Sequence, residues 1–438
     1  MRVLLTGCSG FIGQHVLRAL LAGGHQVVCA ARHPPGHADP RLRFIRADFS
    51  KDTDKSAWLA RLSDIDAVIN TVGIFRETAH QSFAALHTDT PRALFAACAE
   101  SPGVQLVIQL SALGADNEAA SAYHLSKKAA DDFLAGLPLR GVILQPSLVY
   151  GKGGTSARVF KTLASMPVCL RFGSAAQLVQ PVHIDDVVAA IAAAVATLAS
   201  QPPPGGRPRR LALVGPKAMG FTDYLAALRS AMGMGKLRVL RLPDWAARAL
   251  AKIGRFVPGA LLDDEALRML DRGNSADPAD ITRLLGRSPR PVSEFILDPA
   301  AEGAQAKLGW LLPVLRWSIA AVWIATALTS ALWYPAEDSY RLLARTGVPA
   351  SLQPLMLFGA AGFDLALGLG ILLLARRRWL WLMQLVLIGF YTVVIAWKLP
   401  EFLLHPYGPL TKNLPMLAAI WLLYETEDTQ REERTWTT

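Results

Sequence analysis

The stretch that decides the fold of the first half of the chain is TGCSGFIG, at residues 6–13. It follows a short apolar run at residues 3–5 and precedes apolar residues at helical spacing over residues 11–22. A glycine-rich turn between a strand and a helix is typical of a nucleotide-binding loop, because the backbone can approach a pyrophosphate and the helix amino end attracts the anion. The spacing is G-x-x-G-x-x-G rather than G-x-G-x-x-G, and a turn made only for packing is the alternative. The predicted nucleotide contacts of this loop are Gly7, Ser9, Gly10, Phe11, Ile12 and Gly13.

Short apolar segments alternate with helical segments over the next 200 residues or so. Strands are predicted at residues 26–30, 44–47, 67–69, 106–110 and 141–144, with helices at residues 55–62 and 91–100. This alternation indicates an α/β fold, a Rossmann-type doubly wound parallel sheet with helices on both faces. The run QPPPGG at residues 201–206 interrupts the pattern. We therefore predict a nucleotide-binding domain at residues 1–210 and a smaller substrate-side lobe at residues 211–305.

The ends of the predicted strands supply further candidates, because ligands of such sheets bind at the carboxyl ends of the strands. An acidic residue after the second strand would hold a ribose hydroxyl of NAD, but the chain has Arg32 there. A guanidinium matches a 2′-phosphate, so NADP(H) is favoured over NAD(H), with a solvated surface arginine as the alternative. The residues expected beside the cofactor after the third and fourth strands are Asp48, Phe49, Asn70, Val72 and Gly73.

A second pattern indicates catalysis. Ser111 follows the fifth strand, and twelve residues later Tyr123 opens a helical segment that carries Lys127 one turn further on. Residues i and i+4 share a helix face, and an ammonium beside a phenol lowers the pKa of the tyrosine. The phenol can then exchange a proton with a substrate oxygen, Ser111 can hydrogen-bond the same oxygen, and Lys127 can also reach the ribose. We predict these three residues as the catalytic set, with a Tyr–Lys pair on a surface helix as the alternative.

The composition is too apolar for an ordinary soluble protein. Of 438 residues, 52% are hydrophobic and 18% are charged, and the mean hydropathy is +0.28. The excess lies near the C-terminus, where apolar stretches at residues 317–336, 354–375 and 379–397 are long enough to cross a bilayer. A shorter stretch at residues 409–424 is a fourth candidate. We predict an all-α four-helix transmembrane module at residues 309–424, with core helices of a large soluble domain as the alternative.

The charges give the expected orientation and partners. The triplet Arg376-Arg377-Arg378 follows the second span, so that loop is expected in the cytoplasm. With four spans, the N-terminal domain and the tail at residues 425–438 are then cytoplasmic, in a multi-pass protein of the inner or cytoplasmic membrane. The net charge of +10 includes no long Lys/Arg run, so the lipid bilayer rather than a nucleic acid is the expected partner. Four cysteines without a Cys-x-x-Cys pair predict neither a disulfide scaffold nor a metal site.

One carboxylate interrupts the second predicted span. Asp364 lies near the middle of the apolar stretch, where a charge is costly and often functional. It could carry a proton or hydrogen-bond the head group of a lipid or quinone. The alternative is a structural carboxylate paired with a neighbouring helix.

Several strings resemble the short-chain dehydrogenase/reductase superfamily in its extended or atypical branch: TGCSGFIG, INTVG, LSALGA, YHLSK, LQPSLVYG and QPVHIDDVV. The resemblance covers about the first 300 residues, and within the superfamily the chain is most similar to the group of the NADPH-binding accessory subunit of respiratory complex I. In that family the strand end at LQPSLVYG flanks the nicotinamide, which implies Pro146, Ser147 and Val149 as cofactor contacts.

The C-terminal spans, with the string HPYGPLTKNLP, resemble the DoxX-like family of four-helix membrane proteins over residues 310–425. The two resemblances together imply a membrane-anchored NAD(P)H-dependent oxidoreductase that transfers hydride between nicotinamide and a carbonyl or alcohol of a lipid- or quinone-like substrate. Two alternatives stay open. One is a non-catalytic NADP(H)-binding or redox-sensing subunit of a membrane redox complex, and the other is a nucleotide-sugar epimerase or dehydratase.

Overall fold

The structure is a computed structural model that describes residues 1–34, 36, 38–171, 177–200, 207–241, 243, 269–375, 377–406 and 408–435. These residues form two compact units, Met1–Ala306 and Lys307–Thr435. The expected break at residues 201–206 lies outside the described residues.

A parallel sheet of seven strands forms the centre of the first unit. Its strands are β1 (Arg2–Thr6), β2 (Gln26–Ala31), β3 (Leu42–Arg46), β4 (Ala67–Asn70), β5 (Leu106–Leu110), β6 (Gly141–Pro146) and β11 (Arg209–Leu213). Their order across the sheet is β11-β6-β5-β4-β1-β2-β3. The chain runs outward in opposite directions from the neighbouring strands β1 and β4, and ligands of such sheets bind at the carboxyl ends beside that reversal. The predicted doubly wound α/β fold is confirmed.

Helices cover both faces of this sheet. Those of the first unit are α1 (Phe11–Ala22), α2 (Ser56–Leu59), α3 (Thr90–Glu100), α4 (Ala122–Gly136), α5 (Thr155–Ser165), α6 (Ile184–Ser200), α7 (Phe221–Ala231) and α8 (Ala279–Leu285). A helical turn at Ala84–Asp89 leads directly into α3. Successive strand residues point to opposite faces, so Leu5 packs with α1 and α6 while Leu4 packs with α3 and α4. Each such side chain stabilises the fold by about 1.5–3 kcal/mol when fully buried.

The remainder of the first unit is built from three short strand pairs and the helices beside them. The pairs are β7 (Val149–Tyr150) with β10 (Val182–His183), β8 (Cys169–Arg171) with β13 (Val239–Arg241), and β9 (Leu178–Val179) with β12 (Met219–Gly220). Helices α5 and α7 share a third apolar cluster. The domain boundary predicted between residues 210 and 211 falls inside β11, because this strand returns to pair with β6 along its whole length. The substrate-side part and the sheet therefore belong to one compact unit.

The second unit is helical. Its helices are α9 (Pro299–Leu328, which begins in the first unit), α10 (Ala336–Thr346), α11 (Gln353–Leu373), α12 (Arg378–Lys398) and α13 (Asn413–Thr435). Three helical stretches among the described residues are long and apolar enough to cross a membrane: Pro299–Trp333, Ala350–Leu373 and Arg378–Lys398. They contain the first three predicted spans, apart from a few terminal residues.

The fourth predicted span behaves differently. Its residues begin α13, but the helix continues to Thr435 and is not among the three membrane-length apolar stretches found in the described part of the chain. The second half of α13 is strongly charged. Glu427 accepts hydrogen bonds from the side chains of Arg316, Arg377 and Trp381. The stretch predicted as a separate tail at residues 425–438 is thus a continuation of this helix as far as Thr435.

Asp364 lies on the buried face of α11. That face also carries Leu357, Ala361, Gly368 and Ile371, at helical spacing. The Asp364 carboxyl is buried, and its Oδ1 has no hydrogen-bond partner among the described residues. Asp364 therefore lies inside the helical unit rather than on its surface. The interior of a helical bundle is where intramembrane carboxylates are normally found.

Candidate functional site

The glycine loop has the backbone that a nucleotide-binding turn needs. Gly7 has a φ of +73°, which favours glycine, and its carbonyl accepts a hydrogen bond from the Gly10 amide at 2.9 Å. A Cβ on Gly13 would lie 2.0 Å from the Gly7 carbonyl oxygen, so the first turn of α1 packs against the loop at a distance that only glycine allows. Gly10 caps α1 without a side-chain hydrogen bond, which leaves the first amides of the helix to an anion. Ser9 and Gly10 are exposed at this point.

The two apolar residues of the loop have structural roles. Ile12 packs on the apolar cluster beneath α1. The Phe11 ring lies against the turn after β7, where a Cβ on Gly151 or Gly154 would approach it to 3.0 and 3.1 Å. The side chains of both residues therefore hold the loop in place.

Two arginines lie at the carboxyl ends of β2 and β3. Arg32 directly follows β2 and is exposed. Arg46 is the last residue of β3 and stands opposite Ala31 in the parallel register, so it is a neighbour of the Arg32 position. Sequence reasoning missed Arg46, because the predicted third strand ran to residue 47 and so placed this arginine inside the strand rather than at its end. The pair suits an anionic group on the adenosine ribose.

The side chains of Asp48 and Phe49 both make contacts within the protein. Oδ1 of Asp48 accepts a hydrogen bond from the Ser50 amide in a local turn. The Phe49 ring is buried edge-on against Trp58 at a centroid distance of 5.3 Å. A cofactor contact by the face of the Phe49 ring would need this packing to change, because the ring lies in the core rather than at its surface.

A row of buried amides crosses the carboxyl ends of three strands. The Thr6 hydroxyl donates to Asn70 Oδ1 at 2.6 Å, and Asn70 Nδ2 donates to Gln109 Oε1 at 2.7 Å. Asn70 is fully buried, and its side chain links Thr6 to Gln109. Val72 and exposed Gly73 follow it and form the edge that does face outward.

Helix α4 brings Tyr123 and Lys127 to this edge. Ser121 caps the helix through a hydrogen bond from the His124 amide to its hydroxyl. Lys127 is only 4% exposed, and its ammonium donates to the carbonyls of Val72 at 3.0 Å and Leu110 at 3.3 Å. A Cβ on Gly73 would lie 3.0 Å from the nitrogen of this ammonium, so Lys127 leaves little room for a side chain at position 73. The predicted Tyr–Lys pair is thus placed beside the ends of β4 and β5.

Tyr123 is surrounded by rings. Its centroid lies 5.3 Å from Phe75, 6.0 Å from Phe83 and 5.5 Å from His87. Burial, with a smaller contribution from the Asp131 carboxylate, raises the pKa of Tyr123 to about 12. The direction is opposite to the one expected from Lys127, because desolvation of the phenol has the largest effect on this pKa.

Ser111 has a partner that the sequence analysis did not consider. Its hydroxyl donates to Oδ2 of Asp131 at 2.5 Å, and both side chains are buried. Ser111 and Tyr123 are not hydrogen-bonded to each other in the described part of the chain. Asp131 follows Lys127 by four residues, so helix spacing alone could have identified it.

The residues after β6 support the site. Pro146 ends the strand, and its carbonyl accepts a hydrogen bond from the Leu113 amide at 2.9 Å. Ser147 is buried and donates its hydroxyl to the Gln180 carbonyl at 2.5 Å. Val149 begins β7 and pairs with Val182. They tie the sheet to the substrate-side strands.

The comparisons with known proteins agree with this geometry. Residues 3–206 match the model of the NAD dependent epimerase/dehydratase family, and residues 320–421 match the DoxX-like family. A ceramide reductase of Caulobacter vibrioides is 27% identical over 263 residues, which cover 60% of this chain and 77% of the relative. An epimerase family protein of Mycobacterium bovis is 26% identical over 285 residues, covering 59% of this chain and 87% of the relative.

A solved structure supports the fold. A mutant UDP-glucuronic acid 4-epimerase of Bacillus cereus, in complex with a fluorinated UDP-sugar and NAD, has a TM-score of 0.51 and 20% identity, covering 70% of this chain and 99% of its own. The chain thus has a Rossmann-type sheet in a region similar to the NAD dependent epimerase/dehydratase family, followed by a region similar to the DoxX-like family that carries membrane-length helices. The finer resemblance to the accessory subunit of complex I stays a prediction.

Proposed function

We propose that this protein is a membrane-bound NAD(P)H-dependent reductase that converts a carbonyl group of a lipid-like substrate to an alcohol. One observation carries the proposal. The Tyr123–Lys127 pair lies at the strand ends beside the glycine loop, and the described part of the chain also has three helical stretches of membrane-spanning length. The relative described as a ceramide reductase supports both the reaction type and the class of substrate.

The chemistry divides between the cofactor and the protein. The bound nicotinamide would supply hydride to the carbonyl carbon. The Tyr123 phenol, whose pKa is raised by burial, would donate its proton to the carbonyl oxygen, so that the products are an alcohol and a phenolate. Lys127, one helical turn away, would stabilise that phenolate and donate to a ribose hydroxyl. The glycine loop and the amino end of α1 would hold the pyrophosphate.

The site fits the nucleotide on structural grounds. The glycine at position 13 lets the start of α1 pack closely against the loop at Gly7, and the amino end of α1 has no side-chain cap. The lipid bilayer would be the partner that concentrates an apolar substrate. We place the Rossmann domain and α13 in the cytoplasm, because the Arg376-Arg377-Arg378 triplet favours that orientation.

The test is net consumption of reduced cofactor. The detergent-purified chain, returned to vesicles that contain a long-chain lipid ketone, is expected to oxidise NADPH or NADH and form the lipid alcohol. An epimerase returns hydride to its substrate and consumes no net cofactor, so UDP-hexoses without the lipid serve as the comparison. Epimerisation of the sugar without cofactor consumption would replace the reductase by the epimerase alternative, which the family match supports. Bound nucleotide without turnover on either class would favour a non-catalytic subunit.

The cofactor preference is a separate prediction. If Arg32 and Arg46 hold a 2′-phosphate, the double variant R32A/R46A should bind NADPH about tenfold to a hundredfold more weakly, since a hydrogen bond to a charged group contributes about 1.5–3 kcal/mol. Binding of NADH should change less than twofold. Fluorescence titration of both cofactors gives the comparison. Arg43→Ala, on the same strand but paired with Asp64 at 3.1 Å, is the matched control. Equal weakening of both cofactors would remove the NADP(H) preference.

A further inference from the structure

A carboxylate is buried directly behind the Tyr–Lys pair. Asp131 has 0% exposure and lies one helical turn after Lys127 on α4. It accepts hydrogen bonds at Oδ2 from Ser111 at 2.5 Å and from Gln145 Nε2 at 3.3 Å, while Oδ1 has no hydrogen-bond partner among the described residues. An ionised carboxylate is an acceptor only, and one at this depth needs a positive charge nearby.

The buried cation one helical turn from this carboxylate is Lys127. Its two carbonyl partners satisfy hydrogen bonds but supply no negative charge, so they cannot by themselves offset the cost of a buried ammonium. The carboxylate of Asp131 acts on it from one turn along the helix. Of the other titratable groups close to Lys127 in the described part of the chain, Tyr123 is neutral because burial raises its pKa to about 12, and His87 is uncharged because burial lowers its pKa to about 2. The charges of Lys127 and Asp131 therefore depend on each other.

The same carboxylate also accepts the hydrogen bond that the Ser111 hydroxyl donates. A serine hydroxyl has one proton to donate, and that of Ser111 is directed to Asp131. Ser111 is 5% exposed. While this hydrogen bond stands, the hydroxyl cannot donate to a substrate carbonyl as well.

We propose that Asp131 is a positioning residue of the reductase site. It keeps the Lys127 ammonium charged inside the fold, and it holds the Ser111 hydroxyl in a hydrogen bond directed away from the substrate. The proton is therefore transferred to the substrate by Tyr123. The inference rests on the proposed function. It replaces the substrate-orienting role expected for Ser111 by a role in holding the Asp131–Lys127 pair.

The proposal has a pH signature. Burial raises the pKa of Asp131 to about 6 and lowers that of Lys127 to about 8. Both groups are then charged between about pH 6 and pH 8, and cofactor affinity and kcat should rise through the first value and fall through the second. Tyr123 stays protonated across this range, and Arg210, on β11, acts on Asp131 as a second, exposed cation.

The experiment is Asp131→Asn, followed by NADPH binding from pH 5 to pH 9 and by the turnover assay. The amide still accepts a hydrogen bond from Ser111, so the change is mainly one of charge. We expect the rise of NADPH affinity and kcat near pH 6, the acidic limb of the pH profile, to disappear. The fall near pH 8, the alkaline limb, should move to lower pH by at least about one unit, because an opposite charge nearby favours the ammonium. Asp132→Asn removes a carboxylate from the next position of the same helix, where it pairs with Lys128 and Arg210 at the surface, and should leave both limbs in place.

Ser111→Ala is the second variant, in case Asp131→Asn does not fold. Loss of a hydrogen bond to the carboxylate should move the acidic limb to higher pH, with a loss of kcat on the plateau of less than about tenfold. A serine that donates to the substrate would instead lower kcat by a hundredfold or more at every pH. That result, or unchanged pH limbs of NADPH binding in a folded Asp131→Asn protein, would overturn the proposal. Because NADPH binding is measured without a substrate, the positioning role can fail while the reductase function stands, and the reverse.

Discussion

Replacing Tyr123 by phenylalanine should lower kcat for carbonyl reduction by about a thousandfold, because the variant has no proton to give to the substrate oxygen. The phenol is well suited to that step. Its pKa of about 12 keeps it protonated at neutral pH, which is the form needed for reduction. Steady-state turnover of a lipid ketone with NADPH measures the effect.

The same variant should otherwise be intact. Phenylalanine keeps the ring that packs beside Phe75, Phe83 and His87, so the thermal midpoint and the NADPH affinity should remain close to those of the parent protein. Tyr224→Phe makes the same change in the third apolar cluster and should retain turnover. If Tyr123→Phe retained more than about a tenth of the parent kcat, Tyr123 would not be the acid.

Replacing Gly13 by alanine should abolish measurable nucleotide binding at micromolar concentrations. The added Cβ would lie 2.0 Å from the Gly7 carbonyl oxygen and 2.9 Å from Thr71 Oγ1. Contact with backbone cannot be relieved by turning a side chain, so the loop or the start of α1 has to move. Overpacking of this kind costs about 1–3 kcal/mol, and about 2.7 kcal/mol corresponds to a hundredfold loss of affinity.

Titration of NADPH with the purified variant, together with its thermal midpoint, separates binding from stability. Gly136→Ala is the control, since Gly136 ends α4 and nothing lies within 4 Å of the position of its Cβ. That control should bind NADPH as the parent protein does. Normal binding by Gly13→Ala would mean that the loop can accommodate a side chain, and the assignment of this turn to the pyrophosphate would be withdrawn.

Much of the fold follows from local patterns. The alternation of apolar strands and helices predicted the parallel sheet, and the length of the apolar runs predicted the three membrane-length helices. Both signals are local, because they depend on how neighbouring residues are spaced along one element. The edge strand β11 could not be predicted in this way, since it pairs with β6 although many residues separate the two strands along the chain.

The candidate site likewise has parts that single segments of the sequence predict and parts that they do not. The glycine loop and the Tyr123–Lys127 spacing are properties of single segments, and the structure places both at the carboxyl ends of the strands. The residues expected at the site for their position after a strand were less well predicted. Phe49 packs in the core and Asn70 supports the sheet, because the direction of a side chain after a strand depends on the elements that pack against it.

The sequence by itself therefore determined a Rossmann-type sheet with a nucleotide loop, a Tyr–Lys pair on one helix face, and long apolar helices in the second unit. Only the tertiary structure decided that Ser111 donates to Asp131, that Arg46 stands beside the position after β2, and that burial raises the pKa of Tyr123. The reason is physical. Hydrogen-bond partners and pKa values depend on burial and on charges contributed by distant segments, and neither is encoded in the spacing of one segment.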